Sequence, residues 1–199
     1  MKGASRKHDP EGSRAAILDA AEQSFLARGF AGASMSEIAK ASGVTKSLIH
    51  HHFGSKEALW REVKRRRFAG YFEQQMALFA SGGPSAALLR ESMRVYLQFL
   101  RDNPDTVRLM SWLQLEGDRD VTQMVGELRD AGIDHVRSAQ EAGVLRKDVP
   151  APFVLMTFLG LVNAWFDDPA NDDATAEAYL DCAWALFSGG LLRAAEPRA

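Results

Sequence analysis

Ser34-Met35-Ser36-Glu37-Ile38-Ala39-Lys40-Ala41-Ser42-Gly43-Val44-Thr45-Lys46-Ser47-Leu48-Ile49-His50-His51-His52-Phe53 is the stretch whose reading decides the fold of this chain. It reads as two short helices joined by a tight turn. Ser34 and Glu37 stand at capping-box spacing, so each side chain is expected to satisfy a free backbone N–H at the first helix start. Ile38 and Ala39 give that helix an apolar side. Gly43 supplies the left-handed residue that ends a helix, and Thr45 is placed to cap a second one beginning at Lys46. Two helices around a glycine-containing turn form a helix-turn-helix, whose second helix can enter a DNA major groove.

The polar positions fit that task. Thr45, Lys46 and Ser47 open the second helix, where free N–H groups and the helix dipole attract phosphate. Leu48 and Ile49 cannot both face water, so at least one packs on the first helix or meets a thymine methyl. His50 and His51 offer ring N–H donors to phosphates or bases. Phe53 anchors the helix end in a small core. Ser55 caps the next helix and leaves Lys56 to reach phosphate. The candidate DNA-contacting set is Ser36, Thr45, Lys46, Ser47, Leu48, His50, His51 and Lys56.

Residues 13–60 resemble the DNA-binding domain of the tetracycline-repressor (TetR) family of bacterial transcription regulators. The resemblance rests on Ala20-Ala21, Phe25, Gly29-Phe30, Ser36-Glu37-Ile38-Ala39, Gly43-Val44 and Phe53-Gly54-Ser55-Lys56-Glu57-Ala58-Leu59, in order and at family spacing. It covers a quarter of the chain, and the remainder matches only in its all-helical pattern. The family usually has tyrosine, a phosphate contact, at the place of His50, and often threonine at the place of Met35. The resemblance implies a small-molecule cavity among the middle helices and a two-fold dimer built on a four-helix interface.

Composition sets the outer bounds. A chain of 199 residues, 46% hydrophobic and 25% charged, is long enough for one large or two small domains with a real core. The single Cys182 excludes an internal disulfide and suits a reducing cytoplasm. The first nine residues lack the apolar core of a signal peptide. The run from Phe153 to Phe166, interrupted by Thr157 and Asn163, is too short to span a bilayer. The net charge of −2 hides an asymmetry, because residues 1–67 carry +6 and residues 68–199 carry −8. A basic first third containing the helix-turn-helix points to a polyanion.

Along the chain, residues 1–9 read as a polar arm with Lys2, Arg6 and Lys7. Asp9-Pro10-Glu11 starts a helix in which Ile17, Ala21 and Phe25 recur at helical spacing and Gly29 ends the run. Ser55 to Ala80 reads as one long helix, with Lys64-Arg65-Arg66-Arg67 expected on a solvated face. Ser81-Gly82-Gly83-Pro84 is a clear break. Further helices are expected over 85–101, 103–115, 121–142, 151–167 and 174–193, with Asp118, Asp120 and Pro169-Ala170-Asn171-Asp172 in turns. The fold class is all-α, about nine helices, with a helix-turn-helix domain over 1–54 and a ligand-binding and dimerisation bundle over 55–199.

Other chemistries find less support. Consecutive His50, His51 and His52 point about 100° apart on a helix, whereas chelation from one helix needs spacing such as i, i+4. No metal or other cofactor is expected. No phosphate loop, nucleophile elbow or paired Glu-x-x-His is present, which argues against an enzyme. Cys182 lies in an apolar helix and is expected to be buried and inert. Met and aromatic residues of the later helices, Met124 among them, are chiefly core, and Met110, Trp112 and Phe158 are the candidates for an effector pocket. The last two helices are apolar over more than one stripe and need two partners. Phe158, Val162, Trp165 and Trp184 are the candidates for a homodimer face.

The sequence therefore reads as a cytoplasmic, homodimeric transcription repressor. It would bind an inverted-repeat operator in double-stranded DNA, be released by a small-molecule effector, and make no membrane contact. Two rivals are a helical-bundle enzyme and a protein-interaction module without DNA binding. Salt-dependent DNA affinity separates them from a DNA binder.

Overall fold

A computed structural model describes residues 9–117, 120–168 and 170–191, and within α7 the side chains at 120–125 are left out of that description. Lys2, Arg6, Lys7, Asp118, Pro169 and Arg193 lie outside the described residues, as do the side chains of Asp120 and Met124. The described residues form nine α-helices and one 3₁₀ turn: α1 (Pro10–Gly32), α2 (Met35–Ser42), α3 (Lys46–Phe53), α4 (Lys56–Ala80), α5 (Ala86–Asp102), α6 (Pro104–Glu116), α7 (Asp120–Glu141), α8 (Ala151–Asn163), the 3₁₀ turn (Ala164–Asp167) and α9 (Ala176–Leu191). Two compact units separate, Met1–Phe68 with Arg108–Val121, and Ala69–Val107 with Thr122–Ala199.

In the first unit, local chemistry sets the helix ends. Asp9 Oδ1 accepts from Gly12 N at 3.0 Å, with Pro10 in the first turn. Ile17, Ala21 and Phe25 form the fully buried spine of α1. They meet Ile38 of α2, Ile49 of α3, and Leu59, Trp60 and Val63 of α4 in one apolar core. The Phe25 and Trp60 rings lie 4.6 Å apart, within the range where aromatic pairs add to simple burial. Gly29, at φ 68° and ψ −177°, breaks the helical path of α1, a conformation that favours glycine.

Three expectations are corrected. Ser34 makes no side-chain cap; Glu37 pairs with Arg28 across from α1 instead, because a guanidinium offers a carboxylate more than one backbone N–H does. The basic run of α4 is a solvated face only at Arg65, which is exposed. Lys64 is fully buried, with Nζ 5.3 Å from the Trp60 ring centroid. Arg66 reaches Asp19 at 2.7 Å and also pairs with Glu22, and Arg67 reaches Glu22 at 2.9 Å. The acidic partners come from α1, more than forty residues away in sequence. Cys182 is exposed; the buried stripe of α9 is Ala176, Leu180, Ala183 and Phe187, and position 182 falls beside it.

In the second unit, Ser85 caps α5 by accepting from Leu88 N at 3.2 Å. α5 packs against α8 and α9, burying Leu88, Leu89, Met93, Tyr96, Leu97 and Leu100 along its inner face. A polar network lies inside this apolar bundle. Gln75 Nε2 donates to Tyr71 Oη at 3.2 Å and to Ser92 O at 3.1 Å, and Ser92 Oγ donates to Gln75 Oε1 at 3.0 Å. Its members satisfy one another, as buried polar groups must. Among the described residues, no helix is long and apolar enough to cross a membrane.

Candidate nucleic-acid interface

The turn between α2 and α3 forms as its sequence requires. Gly43 takes φ 70°, and its N–H together with that of Val44 returns to the carbonyls of Lys40 and Ala39. Thr45 Oγ1 accepts from Leu48 N at 3.2 Å, fixing the first turn of α3. Ile49 is wholly buried and Leu48 half-buried, so these two side chains hold α3 on the core.

What remains on α3 is polar and outward. Thr45, Lys46, Ser47, His50 and His51 are exposed, and Ser36 is exposed on α2. His50 Nδ1 lies 2.9 Å from Gly54 O. A carbonyl only accepts, so Nδ1 is the donor and Nε2 faces the other way. His52 behaves differently from its two neighbours: its Nε2 is buried with no hydrogen-bond partner, which turns it away from the outward face. Among the described residues, no group of three or more His, Cys, Asp or Glu side chains could hold a metal ion.

Lys56 follows directly, in the first turn of α4. Ser55 Oγ accepts from Ala58 N at 3.1 Å to cap that helix. Lys56 Nζ donates to Ala31 O at 3.4 Å and lies 4.6 Å from the Phe30 ring centroid. Phe30 and Ala31 thus take part in placing this lysine, which its spacing in the sequence does not reveal. Further along α4, the Arg65 guanidinium, with Arg14 behind it, holds the Glu62 carboxyl down at about 2.

This geometry, a capped helix bearing cationic and hydroxyl groups held on a buried Ile, is what major-groove recognition uses. Two family models match the chain. One, described as bacterial regulatory proteins of the tetR family, covers residues 17–63. The other, described as the tetracyclin repressor-like C-terminal domain, covers residues 92–183. The chain belongs to the TetR family. It is a DNA-binding transcription regulator of that family.

Its relatives agree. The HTH-type transcriptional repressor SCO4008 of Streptomyces coelicolor is 28% identical over 162 residues, 78% of this chain and 79% of that protein. The HTH-type transcriptional regulator RutR of Escherichia coli K12 is 34% identical over 138 residues, 69% of this chain but 64% of RutR. The structure of AibR in complex with isovaleryl coenzyme A and operator DNA shares the fold, with a TM-score of 0.70 at 22% identity, covering 87% of this chain and 97% of that one.

Within this TetR chain the remaining candidates are placed as follows. Met110 is half-buried on α6. Trp112 Nε1 donates to Leu26 O of α1 at 3.2 Å inside the first unit. Phe158 is buried edge-to-face against Phe187 at 5.8 Å. Val162 and Trp165 are also buried within the single chain, and Trp184 is half-buried. The apolar side chains that α8 and α9 leave in solvent are others: Phe153 at 57%, Met156 at 64% and Leu186 at 65% exposure.

Proposed function

We propose that this TetR-family regulator is a homodimeric repressor that binds an inverted-repeat operator and is released by a small-molecule effector. Residues 1–54 read DNA, and residues 55–199 sense the effector and dimerise. The observation that carries the reading is the outward face of α3, where Thr45 caps the helix and exposed Lys46, Ser47, His50 and His51 stand over buried Ile49. Lys56 adds a second cation one helix later.

The second copy is argued from Phe153, Met156 and Leu186. Large side chains exposed beyond half their surface on two adjoining apolar helices favour a partner of the same kind. An effector that prefers one arrangement of the dimer shifts DNA affinity by its differential affinity for the two states. AibR, of the same fold, was captured with both operator DNA and a coenzyme A thioester, which supports the same division of labour here.

The test is direct. Double-stranded DNA selected from a random-sequence pool by the purified protein is titrated by fluorescence anisotropy at several salt concentrations. The reading expects enriched inverted repeats and an affinity that falls steeply with salt. A pool without enrichment and a flat salt response would sink it.

A further inference from the structure

We infer that Trp112 and Glu116 of α6 are positioning residues for DNA binding, acting through the broken end of α1 on Lys56; the inference rests on Lys56 being a DNA contact. An unbroken helix would bond Phe30 N–H to Leu26 O. Gly29, at φ 68° and ψ −177°, interrupts that path and strands both groups. α6 supplies both missing partners. Trp112 Nε1 donates to Leu26 O at 3.2 Å. Phe30 N donates to Glu116 Oε2 at 3.1 Å, and Ala31 N to Glu116 Oε1 at 3.1 Å.

The site is built for this contact. A Cβ at Gly29 would stand 2.7 Å from both Glu116 Oε1 and Trp112 Cε3, closer than real side chains approach. Only glycine both breaks the helix and admits the indole. A carboxylate accepting two backbone N–H groups is a charge-assisted pair, stronger than neutral bonds. It holds Phe30 and Ala31 by their N–H groups, while Lys56 contacts the same two residues through Ala31 O and the Phe30 ring. Glu116, Ala31 and Lys56 therefore form one chain of contacts, from a helix end to a phosphate-reaching ammonium.

The helix that supplies the clasp is significant in itself. α6 starts in the second compact unit, at Pro104–Val107, and ends in the first. Trp112 and Glu116 are one helical turn apart at i, i+4 and share a face, so they move together.

The experiment is a double-mutant cycle on the full-length protein, using its selected DNA as probe. Glu116→Ala removes a negative charge from beside the interface, so simple electrostatics expects tighter binding. The clasp expects the opposite: affinity about three- to tenfold weaker, an effect that shrinks toward none in a Lys56→Ala background. Glu116→Gln, which keeps one acceptor, should lie between. In parallel, amide hydrogen exchange at Phe30 and Ala31 should quicken in Glu116→Ala while exchange in the buried part of α1 is unchanged. That second measurement also shows the variant to be folded. Tighter binding, an effect equal in both backgrounds, or unchanged exchange at Phe30 and Ala31 overturns the inference. If Lys56→Ala alone leaves DNA affinity intact, the reading of Lys56 as a DNA contact falls instead, and the exchange data alone then decide whether the clasp holds α1.

Discussion

Tyr96 donates its hydroxyl hydrogen to Asn163 Oδ1 at 2.9 Å, tying α5 to the end of α8. Its ring lies 5.3 Å from that of Tyr71, which in turn bonds Gln75. Both rings are buried. Burial disfavours the phenolate, pushing the Tyr96 hydroxyl up to about 12 and Tyr71 further. Both folded values lie above the ordinary 10.0. The protonated phenols therefore stabilise the fold fully below that pH. The contribution is lost as pH rises, through about 12 for Tyr96.

The first prediction follows from that sign. Unfolding free energy measured in urea should hold level through neutral pH and fall above pH 10. Two pKa units correspond to about 3 kcal/mol for Tyr96. Tyr96→Phe should make the alkaline fall shallower, while lowering stability at neutral pH by about 1–2 kcal/mol because Asn163 loses its partner. Equal alkaline slopes in the two proteins would contradict the assignment.

The second prediction separates a dimer face from a core. Phe153→Glu, Met156→Glu and Leu186→Glu each put charge on a side chain already in solvent. Each should yield a folded monomer, with helical circular dichroism kept and half the mass by sedimentation velocity. Phe158→Glu and Trp165→Glu bury a charge inside one chain, costing several kcal/mol, and should lose the fold itself. Wild-type mass in all three surface variants would place the dimer contact elsewhere.

How much was legible in the sequence depends on how far each partner lies along the chain. Gly43, Thr45 and Ser55 act on backbone groups within four residues, so spacing alone announced the helix-turn-helix. The burial of Lys64 and the pairing of Arg66 and Arg67 with Glu22 depend on α1 packing along α4, which no local pattern encodes. Glu37 looked like half of a capping box until Arg28 competed for it. On α8 nearly every position is apolar, so periodicity carries no phase. Phe158 and Val162 point in while Phe153 and Met156 point out, and only the packing decides. The Trp112 and Glu116 contacts reach back about 86 residues in sequence and left no signal beyond a glycine followed by phenylalanine.

The third prediction concerns Lys46. It is exposed in the first turn of α3, beside the Thr45 cap. A phosphate contact there is sequence-independent, so Lys46→Ala should weaken binding to every DNA by a similar factor. It should also reduce the salt slope by about one. His50→Ala should act differently, changing the ranking among sequences, if His50 Nε2 meets a base edge. An unchanged slope in Lys46→Ala would remove this lysine from the backbone contacts.

The last prediction joins the DNA reading to the proposed dimer. A two-fold dimer presents two copies of α3 to the same side of the duplex, in successive major grooves. Their separation should match one turn of B-DNA, about 34–36 Å, or a multiple of it. The operator half-sites must keep that phase. Inserting about five base pairs, half a turn, puts the second half-site on the opposite side of the duplex. Affinity should then fall to that of a single half-site. Inserting a further half turn restores the phase, and should recover part of the loss if the dimer can stretch. Footprinting and anisotropy on this spacer series measure both effects. The shape of the response carries the argument, because loss of contacts alone gives a steady decline, whereas two-fold docking gives a decline that follows the helical repeat. Binding indifferent to a half-turn insertion would mean that one α3 works alone, and the homodimer would then have no part in recognition.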